Sequence, residues 1–435
     1  MHSCRVLRWT MRAAASLFAA ALAIAIASPK TNCSAGEVRP AEMRVGVEDG
    51  DVRGADNRAL QAAVDHVASL GGGVVYIGPG HYHMRNALIL RDNVFVCGVP
   101  GKTVLSACDG FITPLACDGD CNERQITLVD PSGFRVGDGV VVTDRQYAGG
   151  FTVTTATLTA QVDATTFRIS APLYLDYLVS REASASLAFP VVGGWNVKNA
   201  SVEGLTIDGN RANSQPLGGC RGGGIYLFEC DTVAIRNCIV RNYNGDGVSF
   251  QVSQHVTVED SLSENNAGHG LHPGSGSQHP VLRRNRSVAN DRDGIFVCWR
   301  VKHGLFEQNE ARANRGVGIS IGHKDTDNLF RDSEIMGNRD AGVEFRPEAE
   351  AMGAHRNVFE NNLILDNGVS GKGTPPRACV IIRGHHHDLV FRNNTIGNSK
   401  PAPAPSVGIF SGKDVERLKT EGNQFPNVAT PLVAE

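Results

Sequence analysis

The chain predicts an all-β fold: a right-handed parallel β-helix with rungs of roughly 23 residues, an N-terminal capping helix and a small antiparallel β insertion. Three repeating patterns and one helical stretch carry this expectation. A Gly followed by alternating apolar and variable residues recurs in GGIYLF from Gly223, DGVSFQ from Asp246, HGLHPG from His269, DGIFVC from Asp293, VGISIG from Val317 and AGVEFR from Ala341, with a period of 23 or 24 residues. A fixed period of this size marks a solenoid, whose units bury their apolar faces only by stacking. Each unit also carries a second strand-like phrase, such as TVAIRNC from Thr232 and HVTVEDS from His255. A third piece ends in Asn242, Asn265, Asn290, Asn314, Asn338 and Asn367, a recurrence that suits an internal ladder of amides at one bend.

Taken in order, residues 1–35 read as a signal peptide. Arg5, Arg8 and Arg12 precede an apolar run from Ala13 to Ala27, with cleavage sites after Ala27 or Ala35. The run is shorter than the ~20 apolar residues of a membrane anchor. The expectation is a secreted or periplasmic protein without integral membrane association. Removing residues 1–35 takes four of the 42 basic residues and none of the 45 acidic ones, leaving a net charge of −7, which argues against nucleic acid as a partner.

Residues 36–121 carry the cap and the first rungs. In DNRALQAAVDHVASL, from Asp56 to Leu70, Leu60, Ala63, Val64 and Val67 share one helical face, and Gly71–Gly73 stop the helix. Short alternating strands follow in VVYIGPGHYHMRNALILRDNVFVCGVP. A helix at this point covers what would otherwise be an open edge and bare core. The stretch ADNRALQAAVDHVASLGGGVVYIGPGHY resembles the N-terminal signature of pectate-lyase-superfamily proteins, of the pectin-lyase-like fold. The resemblance covers about fifty residues and implies fold rather than chemistry.

Residues 122–190 interrupt the rhythm with period-2 alternation, expected as the antiparallel insertion that walls a cleft or covers a flank. Cys108, Cys117 and Cys121, three of 11 cysteines, crowd nearby, where export permits a bridge. Zinc-type spacing is lacking, and no metal site is expected. The main stack runs over 191–435, with a longer loop at Gly368–Arg377, and SVGIFSG closing the stack.

Side chains alternate across a strand, so a core of Val248, Phe250, Ile295, Val297, Ile319, Ile321, Val343 and Phe345 fixes the outward columns. Rungs are about 4.8 Å apart, which makes Asp246, His269 and Asp293 a contiguous acid–His–acid column. His272 stands beside it; Trp299, Arg300, His323 and Lys324 lie just beyond the strands, with Glu344 and Arg346 below. Asp-Gly is also a common turn pair, whereas an outward His beside Gly has less structural reason to be there. Asp246, His269, Asp293 and Glu344 are the candidate catalytic residues. His272, Trp299, Arg300, His323, Lys324 and Arg346 are the candidate substrate-binding residues. The run His385–His387 reads as a solvated turn, because adjacent strand residues face opposite ways.

The run NGDGVSFQVSQHVTVEDSLSENNAGHGLHPGSGS resembles the core of polygalacturonase-type hydrolases. That resemblance implies that Asp246 matches the second of the family's paired acids and His269 its active-site histidine. The first acid of the pair falls on Gly245, the acid of the preceding rung falls near Gly223, and Arg300-Val-Lys302 echoes the family's Arg-x-Lys one rung early. Asp246 and Asp293, two rungs or about 9.6 Å apart at the backbone, come near the ~6.5–9.5 Å of an inverting glycosidase. The leading expectation is an inverting hydrolase of a uronate-containing polysaccharide, with no cofactor. The same cleft admits a lyase, with His272, Lys324 or Arg346 as base and calcium on the carboxylates, or an epimerase sharing its first step. A non-enzymatic glycan-binding β-helix is the third class.

Overall fold

The computed structural model describes residues 40–368, 377–401 and 405–435. The expected signal peptide and the centre of the Gly368–Arg377 loop lie outside them. Among the described residues, strands stack into three parallel sheets of 13, 11 and 10 strands. One turn of the solenoid gives a strand to each sheet: Ile225–Phe228, then Asp231–Arg236, then Ile239–Arg241. The next turn repeats this with Val248–Gln251, Thr257–Glu259 and Leu262–Glu264. Registers match the repeat, with Val248 opposite Leu271 and Ile295 opposite Ile319.

Inward side chains make one continuous apolar column. Phe306, Phe330, Phe359 and Phe391 stack through it at centroid spacings of 4.4, 4.5 and 4.8 Å. Stacked identical side chains tie the register of each rung to the next. The helix spans Asn57–Ser69, buries Leu60, Ala63, Val64 and Val67, and starts on Asp56, whose carboxylate accepts from the Arg58 and Ala59 amides. It packs across the first strands, including Ala41–Gly46 and Gly73–Ile77.

The amide ladder exists, but one residue away from its expected start. Asn266, Asn290, Asn314, Asn338 and Asn367 form it, each Oδ1 after the first accepting the backbone and side-chain N–H of the Asn before it at 2.9–3.1 Å. Asn242 and Asn265 are not members. They occupy the left-handed bend just before it, at φ 52° and 54°, where Asn is tolerated. A second buried column, unanticipated, runs through Asn285, Asn309, Ser333, Asn362 and Asn394 at another bend.

The insertion is a six-stranded antiparallel sheet whose strands run from Ile112–Pro114 to Ser184–Leu187. At the far end, Thr430–Ala434 adds one strand beyond Val407–Ser411, so SVGIFSG does not close the stack. The nine described cysteines are all unpaired, correcting the bridge expected among Cys108, Cys117 and Cys121; Cys117 and Cys121 are exposed thiols. No helix among the described residues is long and apolar enough to cross a membrane.

Candidate active site

The outward face of the 11-stranded sheet carries the expected columns. Tyr226, Ser249 and His272 lie side by side on successive strands, as do Phe296, Ser320 and Glu344. The segment between Asp208 and Ile225 folds back over this face. The Gly219 carbonyl accepts from Ser249 Oγ at 2.6 Å and Gln251 Nε2 at 3.2 Å, seating the segment on the sheet. Between it and the sheet lies a cleft of about 500 Å³, lined by Gly219, Asp246, His269, His272, Arg292 and Phe296, with Gly150 of the insertion at its rim.

Asp246, His269 and Asp293 share one backbone role. Each accepts the amide of the next residue in the column: Asp246 Oδ1 from His269 at 2.8 Å, His269 Nδ1 from Asp293 at 3.2 Å, and Asp293 Oδ1 from Val317 at 2.8 Å. The Asp-Gly phrases are therefore staples between rungs, which is why the motif recurs. The remaining Asp246 oxygen, Oδ2, lies 2.7 Å from His272 Nδ1. Burial raises the Asp246 carboxyl, but the neighbouring His269 and His272 imidazoles, with the hydrogen bonds from His272 and the His269 amide, outweigh it and hold it below the usual carboxylate range. For His272 burial wins over the stabilising Asp246 contact, so its pKa lies below the ordinary histidine value and the ring is neutral near pH 7.

These bonds set opposite tautomers. His272 gives its Nδ1–H to Asp246, leaving a lone pair on Nε2; His269 accepts at Nδ1, so its neutral ring carries the proton on Nε2. Neither Nε2 has a protein partner among the described residues. The two rings stand 5.7 Å apart, at 67°, on one wall of the cleft. His269 stacks on Phe296 at 4.0 Å and 6°.

The other expected site residues divide. Arg346 does not reach the cleft. Its guanidinium turns inward to Ser320 Oγ and the Val297 carbonyl, both at 2.8 Å, and lies 4.7 Å over the Phe296 ring. Beside it, Asp325 is fully buried and its carboxyl is pushed up to about 7, chiefly by that burial. Glu344 sits beyond Ser320, 3.8 Å from Arg383, its pKa raised by burial. His323 pairs with Glu348 at 3.1 Å and stacks under Trp299 at 4.9 Å. Trp299, Arg300 and Lys324 are exposed at the far end of these strands. The histidine run is a solvated turn only at His385, which is exposed; His386 is buried, its Nδ1 accepting from Ala354 and its Nε2 2.7 Å from the Arg383 carbonyl.

Among the described residues, one group with three potential metal ligands stands outside the cleft: Glu350, His355 and His387. His355 Nδ1 already accepts the His387 amide at 3.2 Å, which places its proton on Nε2 and removes the lone pair a metal needs there. Sequence reasoning missed Gly219, Phe296 and Arg292 as parts of the cleft. For Arg292 a signal existed, since the same column position is Gly in Gly222, Gly245, Gly268 and Gly316.

Three comparisons bear on the chain. Over 69 residues, 14% of this chain and 8% of the relative, it is 42% identical to "Mannuronan C5-epimerase AlgE6" of Azotobacter vinelandii. Over 70 residues, with the same coverages, it is 37% identical to "Alginate lyase 7" of that organism. The matched stretch thus spans less than a tenth of each relative. Among solved structures, the A-module of mannuronan C-5 epimerase AlgE4 of A. vinelandii superposes with a TM-score of 0.57 at 18% identity, covering 89% of this chain and 97% of that one, a likeness of fold. The family model "Right handed beta helix region" matches residues 193–326 and 298–427, more than half the chain, and the protein belongs to that family.

Proposed function

We propose that the protein is an enzyme acting on an acidic, uronate-containing polysaccharide, and that it cleaves the chain by β-elimination as a polysaccharide lyase. The carrying observation is the 2.7 Å contact between Asp246 Oδ2 and His272 Nδ1, with His269 held in the opposite tautomer one column away. His272 Nε2 takes the proton from C5 of a uronate, the electron pair forms the C4–C5 double bond, the C4–O4 bond breaks, and the departing oxygen, held by a hydrogen bond from His269 Nε2–H, takes up the proton now carried on His272. The products are an unsaturated non-reducing end and a new reducing end.

Hydrolysis takes second place to this reading because both Asp246 oxygens are engaged, leaving no free carboxylate pair to act as acid and base. Epimerisation would return the proton to the opposite face of C5, whereas both imidazoles rise from one sheet face. The short matches to a C5-epimerase and an alginate lyase support the shared first step, removal of the C5 proton. Secretion or periplasmic export, and action without a metal, belong to the same proposal. Incubation with a panel of polyuronates tests it. Unsaturated, ultraviolet-absorbing ends support elimination; reducing ends without unsaturation mean hydrolysis; altered C5 configuration at constant chain length means epimerisation. None of these across the panel leaves a glycan-binding β-helix.

A further inference from the structure

We infer that Arg292 recognises the carboxylate of the uronate whose C5 reacts, and so sets the specificity of this cleft for acidic over neutral sugars; the inference rests on the lyase reading of the same site. Arg292 lines the cleft beside His269, His272 and Phe296 and is exposed. Its side chain has no hydrogen bond or ion pair among the described residues. The neighbouring guanidiniums are committed: Arg346 to Ser320 and Val297, Arg221 to the Phe151 carbonyl, and Arg211 to Asp291. An exposed, uncommitted guanidinium at a cleft lined otherwise by the two imidazoles and by the Asp246 carboxylate, both of whose oxygens are engaged, is the group left to meet an anion.

The backbone places it firmly. The Arg292 amide donates to the Gly268 carbonyl at 3.1 Å, and its own carbonyl accepts from Gly316 at 3.1 Å. The register also explains why a side chain occurs here. In the same column, a Cβ on Gly268 would collide with the Asp246 carboxylate, and one on Gly316 with that of Asp293. On the intervening rung the amide acceptor is the His269 ring, stacked away on Phe296, and the column position beside it admits a long side chain.

The chemistry requires such a group. Removing the proton α to a carboxylate pushes charge onto that carboxylate, and a planar guanidinium can take both oxygens in a fork. Arg292 makes and breaks no bond; it binds the charge while the proton passes to His272. Exposed Arg300 and Lys324, beside Trp299, lie beyond the strands and outside the cleft lining.

The test compares parent, Arg292→Gln and Arg292→Lys on a polyuronate and on its carboxyl-reduced, neutral counterpart, with elimination and equilibrium binding read separately. Expected are a fall in kcat/KM on the order of 100-fold for Arg292→Gln, partial recovery in Arg292→Lys, unchanged melting temperature, and unchanged binding of the neutral polymer. Arg292→Gln within threefold of the parent on the polyuronate overturns the inference while leaving elimination intact. A parent that yields no unsaturated product overturns the lyase reading alone. Binding then decides Arg292: a parental preference for the acidic polymer that collapses in Arg292→Gln sustains the inference, and an unchanged or absent preference overturns it.

Discussion

Asp246 Oδ2 meets His272 Nδ1 at 2.7 Å across two neighbouring rungs, while Asp246 Oδ1 holds the His269 amide at 2.8 Å. One buried carboxylate thus joins two strands and fixes the proton of a cleft imidazole. In Asp246→Asn the amide can donate toward His272 Nδ1, which moves that ring's proton to Nε2 and removes the base. We expect kcat to fall by roughly 10²–10⁴ with the fold retained. Initial rates of unsaturated-product formation, with circular dichroism as control, check this; near-parental kcat would exclude His272 as the base.

With His272 as the proposed base, the acid limb of kcat/KM is expected to report its titration, since it must be neutral to accept a proton. Burial sets its pKa below the ordinary value of about 6.5, so activity persists below that pH and falls on further acidification. Losing the Asp246 charge removes the opposing contribution, so any residual activity of Asp246→Asn shows an acid limb shifted lower still. A limb at or above 6.5 in the parent contradicts the assignment.

The Asp246 carboxyl has a lower pKa folded than its usual ~3.9. Its contribution to stability is therefore fully present above that value and is lost as pH falls through the folded value. Denaturation midpoints from pH 3 to 6 should decline at the acid end in the parent, and less steeply in Asp246→Asn.

Gly219 has a steric duty. A Cβ there would overlap Asp246 Oδ2 and crowd His272 Nδ1 at 2.6 Å. Gly219→Ala should abolish elimination while leaving the melting temperature within a few degrees, because the segment lies over the sheet rather than within the core column. Full activity in this variant would mean that the covering segment is not seated as described.

Asn314 accepts from Asn290 and donates to the Ser287 carbonyl and to Asn338. Replacing it with Ala strands several buried polar groups at about 1–3 kcal/mol each. We expect a loss of about 2–4 kcal/mol in urea unfolding. A loss below 1 kcal/mol would mean that water replaces the amide.

Acid and base on one wall imply syn elimination, which suits uronates whose H5 and O4 share a face, the manno and gluco configurations. Galacturonan, with these groups on opposite faces, should react far more slowly. A preference for galacturonan on the polyuronate panel would separate the proton donor from His272.

Much of the fold was legible because it is written in periodic local patterns. The apolar positions Val248, Ile295, Ile319 and Val343 told inside from outside, and the helical face of Leu60, Ala63, Val64 and Val67 announced the cap. The bend was less legible: Asn265 and Asn266 are adjacent, and only the left-handed φ of Asn265 decides which one turns inward. A charge ladder on the 13-stranded sheet also went unread. Glu203, Arg236, Glu259, Arg283, Glu307, Arg331, Glu360, Arg392 and Glu421 alternate strictly from strand to strand, but loops of unequal length disguise the spacing.

By itself the sequence determined the rungs, their register, and the face on which Asp246, His269, His272 and Asp293 gather, since a period and an alternation are properties of the chain. Tertiary structure alone decided how those groups are bonded. Hydrogen bonds between rungs turned the acid–His–acid column into amide acceptors and gave His272 and His269 opposite tautomers. A segment far from them in sequence brought Gly219 over Asp246. The two arginines exchanged prominence for the same reason: Arg346 found partners inside the wall, and Arg292 was left facing the cleft. Such roles depend on distances across the stack, which no local pattern encodes.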